Sequence, residues 1–205
     1  DLHAYNSLIN ACAAARSWHK ARSVFDEIKR HGLQPDVRSC NAMMLALARC
    51  GQTDRAVRLF RRMKRAGLSD DHRRIAPNLV TYNTLLTCLG RAGRLDEALE
   101  ILRQMRGEGP QPDEVTCTAM MVACEAARDP EQALRIFADL KADGVDPNTA
   151  NYNALLCVCA SCSDADKAEA IFSSMRESTA EPDVISYSTL ISCMERAGRW
   201  EDALQ

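Results

Sequence analysis

No stretch of this chain comes near the roughly 18 consecutive apolar residues that a helical membrane span needs, although 46% of its residues are hydrophobic. An excess of either charge is equally missing: 26 Lys and Arg stand against 28 Asp and Glu. A net charge of −2 gives no general attraction to nucleic acid, so any basic surface has to be local. Aromatic residues are few, with four Tyr, four Phe and two Trp, yet their positions carry most of the information. All ten fall at three slots of one repeating unit. Tyr5, Tyr82, Tyr152 and Tyr187 share the first slot, with Cys40 and Cys117 filling it in the remaining copies. Phe25, Phe60, Phe137 and Phe172 share the second, and Trp18 and Trp200 the third.

The steps Tyr5 to Cys40, Tyr82 to Cys117, Cys117 to Tyr152 and Tyr152 to Tyr187 are each 35 residues, and Cys40 to Tyr82 is 42. A fixed period of this length belongs to stacked units, each too small to bury its apolar face alone. Counted from Leu2, the units run 2–36, 37–78 with a seven-residue insertion, 79–113, 114–148, 149–183 and 184–205, the last cut at slot 22. One continuous array over residues 1–205 is expected. Asp1 has the character of the end of a preceding unit. Neither end shows a polar capping repeat, and no signal or transit peptide is present, so the sequence reads as an excerpt of a longer array.

The third unit shows how a copy folds. Val80, Tyr82, Leu85, Leu86 and Leu89 form an apolar stripe at helical spacing that ends in the turn Gly90–Gly93. Leu95, Ala98, Leu99, Leu102 and Met105 form a second stripe, closed by Gly107, Gly109, Pro110 and Pro112. Each unit is therefore a helical hairpin. Ala21, Ala56, Ala98, Ala133, Ala168 and Ala203 share one slot of the second helix, which marks a close approach to a neighbouring backbone. Gly32, Gly67, Gly109 and Gly144 share the helix-stop slot, where Thr179 departs, and are expected to leave the helix with positive φ. The fold class is all-α: a right-handed superhelical solenoid of stacked antiparallel helical hairpins.

Ten cysteines raise the question of metal or disulfide chemistry, and the repeat answers it. Cys12, Cys124 and Cys159 share one first-helix slot, Cys88 and Cys193 the slot before it, and Cys40 and Cys117 the tyrosine slot. These are core positions, where cysteine acts as a small apolar filler. The densest group, Cys157, Cys159 and Cys162, points around one helix and suits a tetrahedral zinc poorly. Free thiols in this number suit a reducing compartment. His19, His31 and His72 fall at helix ends or in a loop, with no recurring catalytic partner. No metal and no cofactor are called for. The insertion belongs to Leu68–Ala76, with Asp70, Asp71, His72, Arg73 and Arg74; it reads as a solvated loop, or as a docking element for a protein partner.

Two polar columns stand out. The slot after the Tyr/Cys position holds Asn6, Asn41, Asn83, Thr118, Asn153 and Ser188, a hydrogen-bonding side chain in every copy. The last slot of each complete unit holds Asp36, Asn78, Asp113, Asn148 and Asp183. N-capping explains the second column but leaves the first unexplained. One polar pair per stacked helix pair suits the reading of one unstacked base per repeat.

The opening Val80–Leu86 (Val-Thr-Tyr-Asn-Thr-Leu-Leu), the middle Gly93–Leu99 (Gly-Arg-Leu-Asp-Glu-Ala-Leu) and the close Gly109–Asp113 (Gly-Pro-Gln-Pro-Asp) resemble the pentatricopeptide repeat family. The uniform unit length resembles its plain 35-residue class. The resemblance implies that the two polar columns together choose the base. Asn6 with Asp36, Asn83 with Asp113 and Asn153 with Asp183 would each favour U. Asn41 with Asn78 would favour C, then U; Thr118 with Asn148 would favour A; Ser188 would favour a purine. Family polarity gives 5′-U-C/U-U-A-U-purine-3′. The second slot implies base stacking by Val80, Val115, Ala150 and Ile185, with His3 and Arg38 as departures able to stack in their own way. Arg49, Arg91 and Arg196 share a slot two helical turns beyond the reader. They meet phosphates or serve as helix-end cations, and Ala14, Ala126 and Ser161 interrupt the track.

Three functions follow as candidates. The first is sequence-selective single-stranded RNA binding in a mitochondrion or chloroplast, acting by occupancy in RNA processing, stabilisation, splicing or translation. The second is a scaffold that binds proteins or ribosomal RNA, which the near-neutral charge favours. The third is an enzyme whose catalytic domain lies outside this stretch. The His-x-Glu and Cys-x-x-Cys set of a zinc deaminase is absent here, so the chain itself is expected not to catalyse.

Overall fold

The computed structural model describes residues 1–67 and 75–199. Eleven helices occupy these residues, and no strand occurs among them: α1 (Leu2–Ala14), α2 (Trp18–Arg30), α3 (Val37–Arg49), α4 (Thr53–Gly67), α5 (Leu79–Arg91), α6 (Leu95–Glu108), α7 (Glu114–Ala127), α8 (Pro130–Ala142), α9 (Thr149–Ser161), α10 (Ala165–Arg176) and α11 (Val184–Arg196). The all-α expectation holds. Asp70, Asp71, His72, Arg73 and Arg74 of the insertion lie outside the described residues, as do Trp200 and Ala203.

The odd-numbered helices start where the units were counted to start. Asp36, Asn78, Asp113, Asn148 and Asp183 cap them with an extended backbone. The turn from first to second helix has one conformation in all copies: Arg16, Gly51, Gly93, Arg128, Ser163 and Gly198, one slot, all have positive φ. Glycine enters that region freely, whereas Arg16, Arg128 and Ser163 do so against a steric cost.

The helices form two compact parts, Asp1–Ala92 with Ile101–Gln111, and Gly93–Glu100 with Pro112–Gln205. In the first, α3 packs on α1, α2, α4 and α5; in the second, α9 packs on α7, α8, α10 and α11. Ala21, Ala56, Ala98, Ala133 and Ala168 are all fully buried, as a close approach requires. The two aromatic slots meet between consecutive repeats. Phe60 stands edge-on to Tyr82 with ring centroids 5.0 Å apart, and Phe137–Tyr152 and Phe172–Tyr187 repeat this at 5.1 Å. Where Cys40 replaces tyrosine, an open pocket of about 560 Å³ lies among Phe25, Lys29, Cys40, Leu59, Met63 and Ile75.

All ten cysteines are free thiols, and Cys40, Cys88, Cys117, Cys124, Cys159 and Cys193 are buried. Burial pushes the Cys117 thiol up to about 12, and burial with Asp129 nearby does the same at Cys124. They act as packing groups and not as nucleophiles.

The helix-stop glycines divide in a way the sequence reading missed. Gly32 and Gly144 do have positive φ, at 72° and 94°. Gly67 and Gly109 do not; space requires glycine at Gly109 and is tight at Gly67. A Cβ on Gly109 would lie 2.8 Å from Met105 Cα and 3.2 Å from the Tyr82 ring, and one on Gly67 would lie 3.0 Å from Ala76 Cβ. Val80, placed in the apolar stripe of its helix, is instead 57% exposed.

Candidate nucleic-acid interface

Five of the six first helices, all but α1, begin with a reciprocal pair of hydrogen bonds. The cap side chain accepts the backbone N–H three residues on, and the side chain there accepts the cap N–H. At Asp183 these are Ser186 N to Asp183 Oδ1 at 2.9 Å and Asp183 N to Ser186 Oγ at 3.1 Å. Five caps do this: Asp36, Asn78, Asp113, Asn148 and Asp183. The capping account of the last column is thus correct, and it is incomplete.

At Asp36, Asn78 and Asp183 the same cap oxygen also accepts a bond from the candidate reader of the repeat it closes. Asn153 Nδ2 donates to Asp183 Oδ1 at 3.0 Å, Asn41 Nδ2 to Asn78 Oδ1 at 3.1 Å, and Asn6 Nδ2 to Asp36 Oδ1 at 3.4 Å. The two columns, 30 or more residues apart in sequence, are bonded partners. Asn83 lies in α5 with 7% exposure, and Asp113 caps α7, accepting Thr116 N at 2.8 Å. Thr118 and Asn148 are linked through Asn151. Asn151 N donates to Asn148 Oδ1 at 3.1 Å, and Asn151 Nδ2 donates to Thr118 Oγ1 at 2.8 Å. Ser188 is exposed and donates to the Ile185 carbonyl at 3.1 Å.

These bonds keep the carboxylates ionised. At Asp36 burial pushes the pKa up, but donors from the Ser39 backbone and hydroxyl and from Asn6 outweigh it and hold the group below its ordinary value. At Asp183 the Ser186 backbone N–H, then Asn153, lowers the pKa directly.

The stacking candidates His3, Arg38, Val80, Val115, Ala150 and Ile185 are all exposed, each near the start of a first helix. In the first compact part, His3, Arg38 and Val80 line one open groove of about 550 Å³ with Asn6, Asp36 and Asn41. Stacking candidates and a candidate reader pair therefore border the same space. The arginines are less uniform. Arg49, Arg91 and Arg196 are exposed in the last turns of their helices, where a cation favours the carbonyl end. Arg196 Nη1 is also engaged by the Ala160 carbonyl at 3.3 Å.

Sequence reasoning overlooked the column Ser39, Thr81, Thr116, Asn151 and Ser186. All five are fully buried and bonded to the caps. Their signal was there: hydrogen-bonding residues fill this slot in every unit after the first, where it holds Ala4.

Three family models match the chain: one described as the PPR repeat family over residues 1–41 and 77–125, one as a pentatricopeptide repeat domain over 23–91, and one as the pentacotripeptide-repeat region of PRORP over 122–205. A pentatricopeptide repeat-containing protein of Arabidopsis thaliana is 40% identical over 55 residues, 27% of this chain and 11% of the relative. A second from the same plant, named as mitochondrial, is 35% identical over 65 residues, 32% of this chain and 12% of the relative. The chain thus aligns with only a small part of the length of these relatives. Among solved structures, maize PPR10 in complex with an 18-nucleotide psaJ RNA element superposes with a TM-score of 0.76 at 27% identity, covering 95% of this chain and 28% of that one. The PPR domain of Arabidopsis thaliana protein-only RNase P 1 in complex with tRNA gives a TM-score of 0.62 at 26% identity, covering 79% and 83%.

Proposed function

We propose, from the premise that this chain belongs to the pentatricopeptide repeat family, that it binds single-stranded RNA by sequence, one base per repeat. The observation that carries this is the recurring reader–cap bond, Asn6–Asp36, Asn41–Asn78 and Asn153–Asp183. The RNA-bound PPR10 and tRNA-bound RNase P structures support the partner class.

The pair offers different edges to a base according to the cap. Ionised Asp183 only accepts hydrogen bonds, which suits the N3–H of uracil and opposes the N3 lone pair of cytosine. Asn78 carries an NH₂ as well as its capping oxygen, and a donor suits cytosine N3. That contrast supports U at Asn6/Asp36, Asn83/Asp113 and Asn153/Asp183, and C before U at Asn41/Asn78. With A at Thr118/Asn148 and a purine at Ser188, the preferred site is 5′-U-C/U-U-A-U-purine-3′. The chain acts by occupying this site on a transcript of a mitochondrion or chloroplast, and its arginines at 49, 91 and 196 add phosphate contacts. A scaffold role is the second reading, favoured by the net charge of −2 and by the engagement of Arg196 with Ala160.

The test is Asn153→Thr with Asp183 kept, which the family pairing rule moves from U to G. Both proteins are titrated with 5′-UCUAUA-3′ and 5′-UCUAGA-3′ in the same unstructured flanks. One mismatch costs about 1–3 kcal/mol, so the ranking should invert by roughly tenfold. If parent and variant rank the two RNAs identically, the columns do not read bases, and the scaffold reading replaces this one.

A further inference from the structure

The overlooked column does more than close helices. Ser39 Oγ donates to Asn6 Oδ1 at 2.7 Å, Thr81 Oγ1 to Asn41 Oδ1 at 2.7 Å, and Ser186 Oγ to Asn153 Oδ1 at 2.6 Å. The same hydroxyls lie farther from the cap oxygens, at 2.9, 3.0 and 3.0 Å. A hydroxyl has one proton, shared here between two acceptors, with the shorter contact to the amide oxygen the stronger. The reader amide is therefore held at both ends, its oxygen by the hydroxyl and its nitrogen by the cap. One N–H and one oxygen lone pair of the amide remain for a base. Capping alone would not require this contact, since the backbone N–H of the same residue already satisfies the cap.

The fourth repeat reverses the direction. Its reader is Thr118, and the third residue there is Asn151, which donates from Nδ2 to Thr118 Oγ1 at 2.8 Å and to the Glu114 carbonyl at 2.7 Å. The Thr118 proton goes to that same carbonyl at 3.1 Å, leaving an oxygen lone pair as what Thr118 presents. An amide reader is thus paired with a hydroxyl, and a hydroxyl reader with an amide.

We propose that Ser39, Thr81, Asn151 and Ser186 are the positioning residues of their base sites, each fixing which hydrogen-bonding atoms its reader keeps for the base. The inference rests on the base reading proposed above. It makes each site a triad, with specificity set partly by a side chain that never reaches solvent.

The test uses the whole 205-residue chain and 5′-UCUAUA-3′ with each of the four bases in turn at the fifth place. Ser186→Ala removes the hydroxyl and keeps the backbone N–H bond to Asp183. Ser186→Thr keeps the hydroxyl, as Thr81 and Thr116 do. The Ala variant should narrow the preference for U by roughly fivefold, the factor one neutral hydrogen bond carries, and Thr should restore it. If Ala weakens all four RNAs in proportion, the residue is only structural and the inference falls while base reading stands. A parent indifferent to the fifth base overturns both. Thr81→Val, close in shape, asks the same question at the second base should the Ala variant fail to fold; an undiminished preference for C and U over purines there also overturns the inference.

Discussion

Phe25 and Phe60 occupy one slot of adjacent repeats and live in different surroundings. Phe60 is 1% exposed and stands edge-on to Tyr82. Phe25 is half-buried, looks into the open pocket beside Cys40, and has the Lys29 ammonium 5.7 Å from its ring centroid. The period fixes where a side chain points; it does not fix how well the space around it is filled. The packing face can lose a ring and leave a pocket, because neighbouring contacts still hold the helices together. On the polar face every copy keeps a hydrogen-bonding residue in the slot of Asn6, and where that residue is Thr118 its buried partner is Asn151 in place of a hydroxyl.

The largest expected effect separates the two phenylalanines. Phe60→Ala should cost about 3–5 kcal/mol, the usual range for a buried ring, and Phe25→Ala about 1–2 kcal/mol, since less apolar area leaves water there. Equal losses in urea unfolding would show the two places to be equivalent after all. Filling the pocket is the converse experiment. Cys40→Tyr should stabilise by about 1 kcal/mol through an edge-on pair with Phe25, and a lowered melting temperature would mean the space is not shaped for the ring.

The interhelix turn extends the comparison to the backbone. Arg128 (φ 54°) holds the conformation that Gly93 (φ 67°) holds without a Cβ. Arg128→Gly should gain about 0.5–1 kcal/mol, the steric relief less the extra freedom of the unfolded chain. Gly93→Arg should lose a similar amount; unchanged melting in both would remove the strain argument. The smallest effect concerns Asp36 against Asn78. Because the folded pKa of Asp36 is lowered, its stabilisation is present above the unfolded value near 3.9 and is lost as pH falls through the folded one. Asp36→Asn should therefore flatten the decline of melting temperature below about pH 4. An equally steep acid limb in the variant would assign that decline to other carboxylates.

The repeat length, the helix starts and the two polar columns were legible because a fixed period sets the register of every copy at once. The bond between Asn153 and Asp183 was implied only by family resemblance, since nothing local joins residues 30 apart. Ser186 and its equivalents escaped notice for a physical reason: a serine or threonine three places into a helix is fully explained by capping. What reaches it from the preceding repeat depends on stacking, which no local pattern encodes. Arg16, Arg128 and Ser163 hid the turn conformation in the same way, being residue types that seldom adopt positive φ. Gly109 was recognised as necessary for the wrong reason, backbone freedom in place of contact with Met105 and Tyr82.

The bond from Ser186 back to Asn153 crosses the boundary between one 35-residue unit and the next. On the proposed base reading, the module that folds and the module that reads are out of phase. A chimera joined at the end of a repeat, after Asp183, would carry its reader into the new context and leave the matching hydroxyl behind. Splicing beyond Ser186 moves the whole triad as one cassette. Anyone recombining such repeats to address a new transcript should place the junction inside the helix and not in the loop.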